Sequence, residues 1–237
     1  MQVIEVTEYG DADALSVVER EVPEPGEGEV RIDTEAVGVN FADIQQRRGH
    51  YPGGPDVPFV PGIEAAGTVD AAGPGVDMDP GDRVVAMLNG GGYAEYAVAD
   101  VDSVFPAAGL SFEEAAGFPV QFLTAHNCLH EWGGLEADER VLIHAAAGGV
   151  GTAAVQLADH AGAEVFGTAS SAEKLDLAGR LGCDHTINYV EEAFVERVAD
   201  ITEGVGVDLV LDGVGGDVFH DSVDALSQFG RLVFYGV

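Results

Sequence analysis

The stretch Ala146-Ala147-Gly148-Gly149-Val150-Gly151 has the residue types and spacing to hold a phosphorylated ligand. It follows Arg140 to Ala146, a short, nearly all-apolar run of the kind that forms a fully buried strand. Thr152 to Ala161 continues as a helix with a small-residue face. Strand, glycine turn and helix are the first half of a dinucleotide-binding βαβ unit. Gly148 frees the backbone for a tight turn and close approach to a pyrophosphate. Gly151 lets the helix pack on its strand, and the helix N-terminus offers unpaired N–H groups to the anion. The pattern is A-x-G-x-x-G, with Ala146 where the usual fingerprint has its first glycine.

Coenzyme choice is written about 20 residues further on, where an NAD-preferring site places a carboxylate. Val165 to Ala172 contains none. Lys174 stands just beyond, and it is the sole lysine in a chain with nine arginines and 42 acidic residues. A residue type removed everywhere else is retained where a 2′-phosphate would sit. Ser170, Ser171 and Lys174 therefore read as phosphate donors, with Tyr189 as a fourth contact, and the expected coenzyme is NADPH. The alternative reading is a helix-capping serine and an exposed helix lysine.

Two further groups have ligating chemistry. His126, Cys128 and His130 form an H-x-C-x-H cluster with the histidines one helical turn apart, a possible but poorly supported metal site. Cys128 and Cys183 are the only cysteines, neither lies in a metal-type Cys pair, and both fit a reducing cytoplasm.

The elements that must position these residues fall into two blocks. Residues 1–112 read as short strands separated by turns such as Pro23-Glu-Pro-Gly26 and Asp79-Pro-Gly-Asp82, which predicts a barrel or curled sheet. Ser111-Phe-Glu-Glu114 is a capping box opening a helix, and a second helix is expected from about Phe122 to Glu131. Beyond the glycine turn, strands at Ala163–Ala169, His185–Tyr189, Val207–Val214 and Arg231–Val237 alternate with helices, the last at Val218–Leu226. With the first strand this makes five, a doubly wound parallel sheet one strand short of the six of the full fold. The expected domains are 1–120 and 121–237.

The net charge of −32 excludes a nucleic-acid-binding surface. Its dispersal among well-patterned apolar segments points to a halophilic cytoplasm, where salt screens the repulsion; an acidic mesophilic protein is the alternative. No run is apolar enough to span a membrane, and MQVIEVTEYG lacks the features of a signal peptide.

A set of ordered matches adds to this reading: Gly38-Val-Asn-Phe-Ala-Asp43, Gln46-Arg-Arg-Gly49-His-Tyr-Pro52, Pro61-Gly-Ile-Glu-Ala-Ala-Gly67, Pro80-Gly-Asp-Arg-Val84, Gly91-Gly-Tyr-Ala-Glu-Tyr96, Leu123-Thr-Ala125, Ala145 to Gly151, and Ile187-Asn-Tyr189. In these the chain resembles the zinc-independent quinone oxidoreductases (the zeta-crystallin group) of the medium-chain dehydrogenase/reductase family. The resemblance implies a GroES-like β-barrel domain carrying the catalytic cleft and a Rossmann domain binding NADPH. It implies that Asn40, Tyr51 and Thr124 face the nicotinamide, that Lys174 and Tyr189 take the 2′-phosphate, and that Ala146, Gly148, Gly149, Val150, Gly151 and Val214 belong to the coenzyme site.

Zinc-dependent relatives carry a cysteine where this chain has Asn40 and a histidine where it has Ile63, so no metal is expected. Without a Lewis acid, alcohol oxidation is disfavoured, and hydride transfer to a quinone, which delocalises the arriving charge itself, is the expected activity. Asn40 and Tyr51, with Arg47 as a weaker third, are the expected hydrogen-bond donors to the acceptor. The alternatives are an NADPH-dependent enone or enal reductase using the same site, or a catalytically idle NADPH-binding fragment. Relatives continue past this length and dimerise, so a truncated chain and a weakened homodimer are also expected.

Overall fold

The computed structural model describes residues 1–236 and divides into two compact units, Met1–Val120 and Gln121–Val237. In the first, β1 (Gln2–Val6) and β2 (Leu15–Glu19) form an antiparallel hairpin. A second, five-stranded antiparallel sheet contains β3 (Glu29–Val37), β4 (Glu64–Ala72), β5 (Arg83–Met87), β6 (Tyr96–Asp100) and β7 (Val104–Pro106) in the order β6-β3-β4-β5-β7. Shifts of register after Arg31 and Thr34 curl it, as bulges do. Alternate residues Val30, Ile32, Ala65, Val69, Val84, Ala86, Ala97 and Ala99 point into one core.

Two α-helices accompany these strands. α1 (Phe41–Arg47) follows β3, and α2 (Phe112–Ala116) opens on the Ser111/Glu114 capping box, with both reciprocal bonds formed. Sequence patterning does not anticipate α1, because seven residues hold too little periodicity.

The second unit begins in α3 (Pro119–His126), which runs into a π-helical segment, Asn127–Trp132, where a single helix is expected. There follow β8 (Arg140–Ile143), α4 (Gly149–Ala161), β9 (Glu164–Ala169), α5 (Ala172–Arg180), β10 (His185–Asn188), α6 (Phe194–Ile201), β11 (Val207–Asp212), α7 (Asp217–Asp224) and β12 (Leu226–Phe234). The five strands are parallel in the order β10-β9-β8-β11-β12, so the sheet runs outward from its first strand in both directions.

Its side chains alternate between two cores. Val141, Ile143, Val165, Leu209 and Leu211 pack with Ala153, Ala154, Val155 and Ala158 of α4. Leu142, Phe166, Ile187 and Val210 pack with Phe194 and Val198 of α6. Helices on both faces are what make the strands apolar throughout.

The last strand departs from expectation. It begins at Leu226 rather than Arg231, because Leu226 pairs with Val207 before the register shifts. Phe229 lies in the left-handed region (φ 70°) within that irregular start, which breaks the alternation a strand normally shows. Arg231 anchors it to the loop before β8, donating to the Gly133 carbonyl and to both carboxylate oxygens of Glu139 at 2.9 and 2.6 Å. Among the described residues no helix is long and apolar enough to cross a membrane.

Candidate functional site

A cavity of about 430 Å³ lies at the carboxyl ends of β8, β9, β10 and β11, where open α/β sheets bind ligands. Its wall is built from the ends of these strands and the turns after them: His144, Ala145, Ala147 and Gly148; Thr168, Ala169 and Ser170; Tyr189; Val214. Lys174 and Phe194 come from the two helices α5 and α6.

The glycine turn is tightly determined. Ala145 adopts φ 51°, a left-handed conformation costing a residue with a Cβ roughly 1–2 kcal/mol. Its carbonyl accepts the Gly148 N–H at 2.8 Å, and Gly148 is the N-cap of α4. A Cβ on Gly151 would sit 2.2 Å from that same Ala145 oxygen, so no side chain fits there. Gly148 lines the cavity, whereas Ala146, Gly149, Val150 and Gly151 are not on its wall. Ala146 and Gly151 are buried beneath the turn, and the Ala146 N–H donates to the Thr168 carbonyl at 3.0 Å. The turn's contribution beyond Gly148 is thus its backbone and the N-terminal end of the 13-residue α4.

Lys174, Ser170 and Tyr189 share the cavity wall, and Lys174 Nζ donates to Ser170 Oγ at 3.4 Å. Ser171 does not line it: its hydroxyl caps α5, accepting the Lys174 N–H at 3.5 Å. The cap uses the oxygen of Ser171 and leaves its O–H to donate. Thr124, half-buried on α3, is also absent from the wall, while Val214 is on it, held by its N–H to Asp212 Oδ1 at 2.8 Å.

One buried polar network escaped sequence reading. His144, 2% exposed, places Nδ1 3.0 Å from Thr168 Oγ1 and Nε2 2.9 Å from Ser222 Oγ, with its ring edge-on to Phe194. Ser222 gives its own proton to the Val218 carbonyl at 2.6 Å, so it accepts from Nε2–H and Thr168 donates to Nδ1. The proton of the neutral ring thus sits on Nε2. Burial pushes its pKa down to about 4, against a smaller pull upward from the Asp212 carboxylate. A polar side chain at the end of an all-apolar strand was the available clue.

In the first unit, Asn40 caps α1 and is buried. Its Nδ2 donates to Glu64 Oε1 at 2.8 Å, and Glu64 Oε2 accepts the Val120 N–H at 2.9 Å. The backbone N–H of Asn40 donates to Asp43 Oδ2, which also accepts the Tyr93 hydroxyl at 3.1 Å. Burial raises the Asp43 pKa, and these hydrogen bonds, with one from Gly62, oppose it. Part of the donor capacity expected of Asn40 for a substrate is therefore spent on Glu64. Tyr51 is exposed, and Arg47 is half-buried with Nε lacking a partner.

The His126–Cys128–His130 group does not converge. The two rings lie 4.8 Å apart, tilted, while Cys128 is buried in the core with its thiol pushed up to about 11 by burial. Among the described residues no group of three or more His, Cys, Asp or Glu side chains could hold a metal ion. Cys183 is buried too, and burial pushes its thiol up to about 12.

Comparison with known proteins agrees with this architecture. Residues 26–109 match the alcohol dehydrogenase GroES-like domain, and residues 149–237 match the zinc-binding dehydrogenase model. The chain is 40% identical over 237 residues to quinone oxidoreductase 1 of Escherichia coli, covering 98% of this chain and 72% of that protein. It is 40% identical over 234 residues to 2-haloacrylate reductase of a Burkholderia species, covering 96% and 70% respectively. The crystal structure of the Escherichia coli quinone oxidoreductase complexed with NADPH superposes with a TM-score of 0.93 at 39% identity, covering all of this chain and 73% of that one.

Proposed function

The chain belongs to the quinone oxidoreductase group of the medium-chain dehydrogenase/reductase family, and from that premise we propose that it reduces quinones with NADPH. The family makes it an NADPH-dependent oxidoreductase. The observation that carries the coenzyme assignment is the cavity beside the glycine turn, with the chain's sole lysine on its wall.

The residues present fit this coenzyme. Gly148 and the start of α4 would hold the pyrophosphate through backbone N–H groups. Lys174, Ser170 and Tyr189 would take the 2′-phosphate. Bound there, NADPH supplies the hydride. His144, on the same wall, satisfies both its ring nitrogens through Thr168 and Ser222.

The zinc of the wider family does not fit. Ile63 has a hydrocarbon side chain, Asn40 offers an amide rather than a thiolate, and Glu64 accepts from Asn40 and Val120. We derive no step through a metal. An acceptor that spreads charge over its own conjugated system needs only orientation and hydrogen bonds. Tyr51 is the leading donor for that role, supported by its exposed hydroxyl, with Arg47 and Asn40 beside it in the same segment of sequence.

The kinship with a 2-haloacrylate reductase supports a second reading, reduction of an activated carbon–carbon double bond. Steady-state NADPH oxidation with 1,4-benzoquinone and with a 2-alkenal separates the two. The expected result is turnover of the quinone at least tenfold faster in kcat/KM. A reversed preference establishes the double-bond reductase, and NADPH binding with neither acceptor consumed refutes both.

A further inference from the structure

We infer that Glu192 and Asp221 make coenzyme binding salt-activated: rising ionic strength tightens NADPH rather than loosening it. This rests on the NADPH reading of the cavity above. Proteins that hold phosphates with basic side chains ordinarily lose affinity in salt, because screening weakens the attraction. Here the balance of charge is the reverse. Lys174 is the only cation on the cavity wall, Glu192 and Asp221 are on the same wall, and Arg197, off the wall, offsets part of the Glu192 charge across 3.9 Å. The unit around it, residues 121–237, carries 19 acidic residues against four arginines and that lysine.

Range decides which effect dominates. Glu192 and Asp221 share the wall of one cavity with Lys174, and at 0.1 M salt the screening length is about 10 Å, so their field reaches into the cavity. At 1 M that length is about 3 Å, and the repulsion is removed. The contacts from Lys174, Ser170 and the α4 N-terminus act at hydrogen-bond distance and outlast screening. The pyrophosphate common to both coenzymes carries about two negative charges and the 2′-phosphate adds about −1.5 to −2 more at neutral pH, so the effect falls on both and about twice as strongly on NADPH.

Glu192 is placed for this by a local device. Its N–H and that of Glu191 both donate to the Asn188 carbonyl at 3.0 Å, folding the loop after β10 so that Tyr189 and Glu192 both face the cavity. Asp221 reaches it from α7.

The test is a fluorescence titration of NADPH and NADH from 0.1 to 2 M KCl, with circular dichroism reporting the folded fraction at each point and affinity expressed per folded chain. For the unmodified chain the NADPH dissociation constant should fall on the order of fivefold, and that of NADH about twofold. In a Glu192→Gln/Asp221→Asn double variant the NADPH slope should flatten to under twofold, with the 0.1 M affinity already near the high-salt value. Asp200→Asn/Glu203→Gln, which removes two exposed acids away from the wall, should keep the original slope. NADPH weakening with salt, equal tightening of both coenzymes, or an unchanged slope in the Glu192/Asp221 variant would overturn the inference. Absence of binding by either coenzyme at every salt concentration would instead overturn the coenzyme reading itself.

Discussion

Between pH 8 and pH 5.5 one residue, His144, should make a destabilising contribution as the medium is acidified. In the unfolded chain an imidazole titrates near 6.5, so at pH 5.5 about nine in ten are protonated. In the folded protein burial holds His144 near 4, so at pH 5.5 it stays neutral. The unfolded state therefore binds the extra proton, and stability falls as pH drops below 6.5 until the folded value is reached. The linkage integral gives a loss of about 1.4 kcal/mol by pH 5.5. Asp43, whose pKa burial raises, acts with the opposite sign, since its folded form takes up a proton first as pH falls. Relief of the large negative charge also favours the folded state in acid. Both contributions are common to a His144→Gln variant, whose amide can still accept from Thr168 and donate to Ser222. Urea unfolding of the two proteins in high salt at pH 8 and pH 5.5 isolates the His144 term. The stability gap between wild type and variant should shrink by about 1.4 kcal/mol at the lower pH. A gap that is the same at both values would refute the neutral, buried imidazole.

Three further outcomes follow from the geometry. Gly151→Ala should cost about 2–4 kcal/mol and abolish coenzyme binding, because its Cβ would meet a backbone oxygen that cannot move aside; calorimetry and titration read the two effects, and a stable, coenzyme-binding variant would contradict the turn described. Lys174→Ala should weaken NADPH at least tenfold in 2 M KCl while leaving NADH within twofold; equal losses would count against a phosphate contact. Both thiols should resist a maleimide reagent in the folded protein and react fully in denaturant, and rapid labelling of either in native conditions would contradict their burial.

What could be read from the sequence was what is local. The turn from Ala145 to Gly151 is spelled out in consecutive residues, and Lys174 stands out because composition isolates it. The alternating strands and helices follow from runs long enough to show a period. What was hidden depends on residues that meet only after folding. Ser222 lies 78 positions from His144, so nothing in either segment announces their hydrogen bond. Glu64 lies 24 positions beyond Asn40, and without that contact the asparagine looks like an uncommitted donor. Ser171 illustrates a different ambiguity, since a serine before a helix suits a cap and a phosphate equally, and only the cavity wall separates them. The start of β12 was misplaced because Phe229 breaks strand alternation just where Leu226 and Val207 have begun to pair.

The burial of both cysteines bears on survival during turnover. Quinones and activated alkenes are themselves alkylating agents, and the nucleophile they consume fastest is a thiolate. With the Cys128 thiol pushed to about 11 and that of Cys183 to about 12, no more than about one sulfur in 3,000 is ionised at pH 7.5, and that fraction is sealed in the interior. Under the function proposed above, both thiols are thereby kept from the electrophile the site would reduce.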